Sequence, residues 1–112
     1  MIGMSVQDLK KCCDSGQAIT IIDLQSPDAY AHRHIPAAVH IDVTEECDEQ
    51  CARLLRDKDS QLVVYGEFDE LGKGKKAVEA LAQAGYTNVN RLAGGLMGWM
   101  EAGYPVEGGQ ES

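Results

Sequence analysis

Long apolar runs are missing from this chain. None of its 112 residues lies in a stretch approaching the ~20 apolar residues that cross a bilayer, so a transmembrane helix is not expected. Basic side chains are also scarce. Ten Lys and Arg stand against eighteen Asp and Glu, a net charge of −8. Such a surface repels nucleic acid and anionic membranes, and neither is an expected partner. The one basic cluster, Lys73, Lys75 and Lys76, is too small to reverse that field. The opening MIGMSVQDLKK lacks a basic region followed by an apolar core, so no secretory signal is read there and the cytoplasm is the expected location. No C-x-x-C occurs among the four cysteines, at 12, 13, 47 and 51, which argues for free thiols over a zinc or dithiol redox motif. Zinc would need two ligands beyond Cys47 and Cys51, and His32, His34 and His40 have no spacing that suits them. No metal and no cofactor are therefore expected. Repeats, low-complexity segments and linkers are absent too. The expected organisation is one domain over 1–112, with a core of about 5–106 and a frayed tail over 107–112.

What is present is an alternation of strand and helix signals. Ser5, with Asp8 three residues on, opens a helix striped by Val6, Leu9 and Cys13 and closed by Gly16. ITIID (19–23) is an apolar run typical of a strand buried on both faces. Ser26-Pro27 starts a short helix through Tyr30. AVHI (38–41) is a second short strand. Asp42 and Glu45 open a helix bearing Val43, Cys47, Cys51, Leu54 and Leu55. QLVVY (61–65) is again a buried strand, followed by a helix from about Lys75 to Ala84 that stops at Gly85. TNVNRL (87–92) contains the last strand, and Gly94-Gly95 leads into a helix ending near Gly103. This order specifies an α/β fold, a central parallel sheet with helices on both faces. Ligands of such sheets bind beyond the carboxyl ends of the strands, which points to the segment after Tyr65.

That segment reads GEFDELGKG, 66–74. Gly66 lets backbone approach closely but brings no reactive group. A phosphate-binding P-loop needs four residues between its glycines, then Lys and a hydroxyl residue. Here five residues separate Gly66 from Gly72, Gly74 follows Lys73 and the hydroxyl is missing, so nucleotide hydrolysis is not expected. The amides of Gly72 to Lys75 offer at most a place for a small anion. Cys47 and Cys51 share a face with Val43 and Leu54, which suits packing. Cys13 lies on an apolar stripe, leaving Cys12 at its edge as the more exposed thiol. Asp23 is read as a strand-end residue holding the next turn, His34 as structural and Trp99 as an apolar anchor.

IIDLQSPDAYAHRHIPAAVHI and AGYTNVNRLAGGLMGWMEAGYPV together resemble the front and back signatures of rhodanese-like domains, from about Ser5 to Val106. The resemblance implies a parallel sheet flanked by helices and a nucleophilic cysteine directly after the strand matching QLVVY. A ring of amides and the next helix's N-terminus would there hold a thiolate, its persulfide or an oxyanion. Gly66 occupies that position in this sequence. The loop is about two residues longer than the family's, has neither its arginine nor its hydroxyl, and carries Glu67, Asp69 and Glu70, which oppose an anionic sulfur donor. Gln25 replaces a usual arginine, Arg33 a glycine, and Ala37 a second common glycine. No catalytic residue is therefore assigned. Gly66, Glu67, Phe68, Asp69, Glu70, Leu71, Gly72, Lys73 and Gly74 are expected to form a recognition loop for a protein partner or a small anion. Phe68 is expected to fold back over the space a substrate would fill. The alternative is sulfur transfer through a relocated cysteine, Cys47, Cys51 or Cys12.

Overall fold

The computed structural model describes residues 3–41, 57–66 and 71–109, with 71–74 as backbone. Strand β1 (Gly3–Met4) leads into helix α1 (Val6–Ser15), and β2 (Thr20–Asp23) into α2 (Pro27–His32). Then follow β3 (Val39–His40), β4 (Leu62–Tyr65), helix α3 (Leu71–Gln83), β5 (Val89–Leu92) and helix α4 (Gly95–Glu101). The sheet order is β1-β5-β4-β2-β3 and every pairing is parallel. The strands expected at 19–23, at 61–65 and within 87–92 (about 88–91) form its centre as parallel neighbours.

Alternation along the strands splits the core into two layers, because successive side chains point to opposite faces. Ile22, Leu62 and Val64 pack with Ala77, Val78 and Leu81 of α3. Ile21, Val63 and Tyr65 pack with Val6 and Leu9 of α1 and Leu96 and Trp99 of α4. The near-continuous apolar reading of β4 follows: Leu62 to Tyr65 are all buried.

The helix boundaries carry their expected caps. Ser5 Oγ accepts the Asp8 N–H at 3.0 Å, and Ser26 Oγ accepts that of Ala29 at 3.2 Å. Gly16 closes α1 at φ 74°, in the left-handed region where glycine costs least.

Three expectations are corrected, and one strand was not anticipated. Helix α3 begins at Leu71, not near Lys75, so Leu71 to Gly74 form its first turn and not part of a loop. Two glycines depress intrinsic helix propensity by about 1 kcal/mol each, but the docked apolar face of Ala77, Val78 and Leu81 carries the helix back through them. Cys13 is exposed and Cys12 half-buried, the reverse of the expected order, because α1 is buried through Val6 and Leu9 and its last turn is not. The described part of the expected tail, 107–109, is tied down. Glu107 exchanges both backbone hydrogen bonds with His34 at 2.8 Å, and the Gly109 N–H donates to the Ala31 carbonyl at 2.8 Å. Finally, β1 had no signal, since two residues cannot display a period. The helix expected after Asp42, with Cys47 and Cys51, lies outside the described residues.

Candidate functional site

Residues Asp23 and Tyr65 end their strands as register partners, so their side chains emerge together beyond the sheet's carboxyl edge. The Tyr65 hydroxyl donates to Asp23 Oδ2 in a short hydrogen bond and accepts the Ile35 N–H at 3.0 Å. Asp23 Oδ1 accepts the Gln25 N–H at 2.7 Å, and Oδ2 also accepts Gln25 Nε2 at 2.9 Å. Gln25 Nε2 donates to the Arg33 carbonyl as well, at 3.0 Å. His40 Nε2 lies 2.6 Å from the Gln25 carbonyl, and because a carbonyl only accepts, that nitrogen carries the proton. Asp23 is fully buried, and among the described residues it meets three neutral donors and no cation. Such a carboxylate is tolerable only because its oxygens are all engaged.

The network braces the floor on which Gly66 rests. Burial pushes the Tyr65 hydroxyl well above the usual phenol range, the Asp23 charge and their shared hydrogen bond add to the rise, and the Ile35 amide opposes it. The proton therefore stays on Tyr65. The Leu24 N–H donates to the Tyr65 carbonyl at 2.8 Å, fixing the turn beside it.

Gly66 itself is buried, and its carbonyl accepts the Leu96 N–H of α4 at 2.9 Å. Of the expected recognition residues, then, Gly66 sits at the carboxyl end of β4 and Leu71, Gly72, Lys73 and Gly74 form the first turn of α3. Glu67, Phe68, Asp69 and Glu70 lie outside the described residues. Cys12 and Cys13 are in the last turn of α1, which feeds the amino end of β2, the opposite edge of the sheet from Gly66. Burial, followed by the neighbouring Cys12 and Asp14, pushes the Cys13 thiol up, with Lys10 opposing, so its environment disfavours the thiolate. Among the described residues, no group of three or more His, Cys, Asp or Glu could hold a metal ion. Nor, among the described residues, is any helix long and apolar enough to cross a membrane.

Tyr65, Gln25 and His40 were not read from the sequence as one cluster. The available signal was a tyrosine ending one apolar strand and an aspartate ending another, but their register is set by the sheet.

The family model for the rhodanese-like domain matches residues 5–102. The chain belongs to the rhodanese-like domain family. A rhodanese-like domain from Anabaena, solved in solution, superposes with a TM-score of 0.85 at 32% identity, covering 98% of this chain and 81% of that one. A thiosulfate sulfurtransferase from Pseudomonas aeruginosa superposes at 0.82 with 26% identity, over 96% of this chain and 20% of that one. An HTH-type transcriptional regulator of Mycobacterium tuberculosis is 33% identical over 91 residues, 81% of this chain and 38% of that protein. The chain spans less than half the length of the curated relatives it matches. This rhodanese-like domain thus has sulfurtransferase-like relatives and at least one relative named as a regulator.

Proposed function

We propose that this rhodanese-like domain works as a binding or regulatory module and not as a thiosulfate sulfurtransferase. The observation that carries the reading is Gly66, a residue without a side chain at the end of β4, where the family resemblance implies a nucleophilic cysteine. Without a thiolate there, no persulfide can form at this position. The acidic Glu67, Asp69 and Glu70 add to the case, since they disfavour an anionic sulfur donor. Recognition is assigned to the 66–74 segment, with a protein partner or a small anion as its ligand and the cytoplasm as its setting. The relative named as a transcriptional regulator supports such a role, and the relative named as a sulfurtransferase supports the rival.

The rival routes sulfur through Cys12, Cys47 or Cys51. Cys12 is disfavoured by its place on α1, half-buried at the sheet edge away from Gly66. Cyanide-dependent release of thiocyanate from thiosulfate separates the two readings. The module reading expects the rate of a buffer blank, and Gly66→Cys restores little because the three carboxylates remain. Turnover above blank that disappears on one cysteine-to-serine change would establish the rival and name its nucleophile.

A further inference from the structure

Beside the Gly66 floor, between α2 and α4, lies a cleft of about 170 Å³. Gln25, Ala29, Arg33, Leu96, Met97 and Met100 line it, with His32 at its edge. Arg33 is half-buried, yet among the described residues its guanidinium meets no carboxylate. Nη1 points at the Met100 thioether at 3.8 Å and Nη2 at His32 Nε2 at 3.4 Å. A thioether is a weak acceptor, so the planar fork that suits a carboxylate stands largely unused.

Gln25 supplies the second observation. It is 7% exposed, and its Nε2 faces two acceptors, the Asp23 carboxylate and the Arg33 carbonyl. That arrangement dictates the amide's orientation and leaves Oε1 as the other atom. No described residue donates to Oε1, although a buried polar atom without a partner is costly. The cleft therefore pairs unfilled donors on Arg33 with an unfilled acceptor on Gln25. Leu96, Met97 and Met100 supply the adaptable apolar wall that holds a short carbon stem.

We infer that this cleft binds a small hydroxycarboxylate, its carboxylate on Arg33, its hydroxyl donating to Gln25 and its carbon stem against Met97 and Met100. The assignment goes beyond the Gly66 reading and stands whichever way the thiocyanate assay falls.

Titration of the full chain with lactate, propionate and lactamide, followed by the methyl NMR signals of Met97 and Met100, tests it. Lactate is expected to give saturable shifts. Propionate lacks the hydroxyl and lactamide the charge, and each is expected to bind at least fivefold more weakly. Arg33→Gln should weaken lactate at least tenfold while the unfolding midpoint stays unchanged. The three-probe comparison is made on the unaltered protein, so it does not depend on any variant folding. Equal binding of the three probes, unsaturable shifts, or undiminished lactate binding by folded R33Q would overturn the assignment.

Discussion

Single residues set the chemistry of the site, and Tyr65 is the clearest case. Its hydroxyl serves both the Asp23 carboxylate and the Ile35 amide, so Tyr65→Phe leaves two buried groups each short of a partner. The expected loss is about 2–4 kcal/mol in urea unfolding. Alkaline titration gives a second reading. The folded-state pKa of Tyr65 lies above the ordinary phenol value, so its contribution is complete below about pH 10 and falls as pH rises further. Tyr65→Phe should make that alkaline decline shallower by up to about 1.4 kcal/mol per pH unit. An unchanged slope would show that Tyr65 ionises normally. Ala37 carries another consequence at this scale. Among the described residues it is the non-glycine residue with positive φ, 69°, at a position where the family often has glycine. A left-handed conformation costs an L-residue about 1–2 kcal/mol, so Ala37→Gly should raise stability by up to about 1 kcal/mol after the added unfolded-state entropy. Ala37 was legible in the sequence as a departure, because a glycine pattern names its own backbone geometry. The Asp23–Tyr65 pair was not, because it depends on the register of two strands 42 residues apart.

At the scale of elements, strands with fully buried faces and helices with capping residues were readable from the sequence. Thr20–Asp23 and Leu62–Tyr65 match their apolar runs, and α1 and α2 begin where Ser5 and Ser26 place them. Elements held by tertiary contact were not. Strand β1 exists because Gly3 and Met4 find Arg91 and Leu92 beside them, and α3 starts early because its apolar face is anchored. The start of α4 shows how tight such junctions are. Gly94 has φ 86°, and a Cβ there would stand 3.3 Å from the Gly98 Cα. Gly16 has a similar φ but open space around it. Gly94→Ala should therefore cost more than Gly16→Ala, which bears only the conformational term of about 1–2 kcal/mol. Paired thermal melts of the two variants test this ordering, and equal midpoints would refute it.

For the molecule as a whole, closure depends on the chain's last described turn. Glu107 and Gly109 return to the segment 31–37, where they make three backbone hydrogen bonds, and the Ala37 N–H reaches Glu107 Oε1 at 3.4 Å. Removing the chain after Val106 should lower stability by about 1–3 kcal/mol, given a net 0.5–1.5 kcal/mol for a typical hydrogen bond and partial replacement by water. A truncated protein as stable as the full chain would mean that the return is decorative. Trp99 lies close to this closure, 1% exposed, with its indole N–H donating to the Pro105 carbonyl at 2.7 Å and its ring edge-on to Tyr104 at 4.9 Å. It is the single tryptophan of the sequence. The protein thus contains its own optical gauge. Emission excited selectively at the indole reports one packed layer and nothing else, blue-shifted while that layer holds and red-shifted once Pro105 and Tyr104 let go. Release of that layer can therefore be followed in a cuvette without any attached dye.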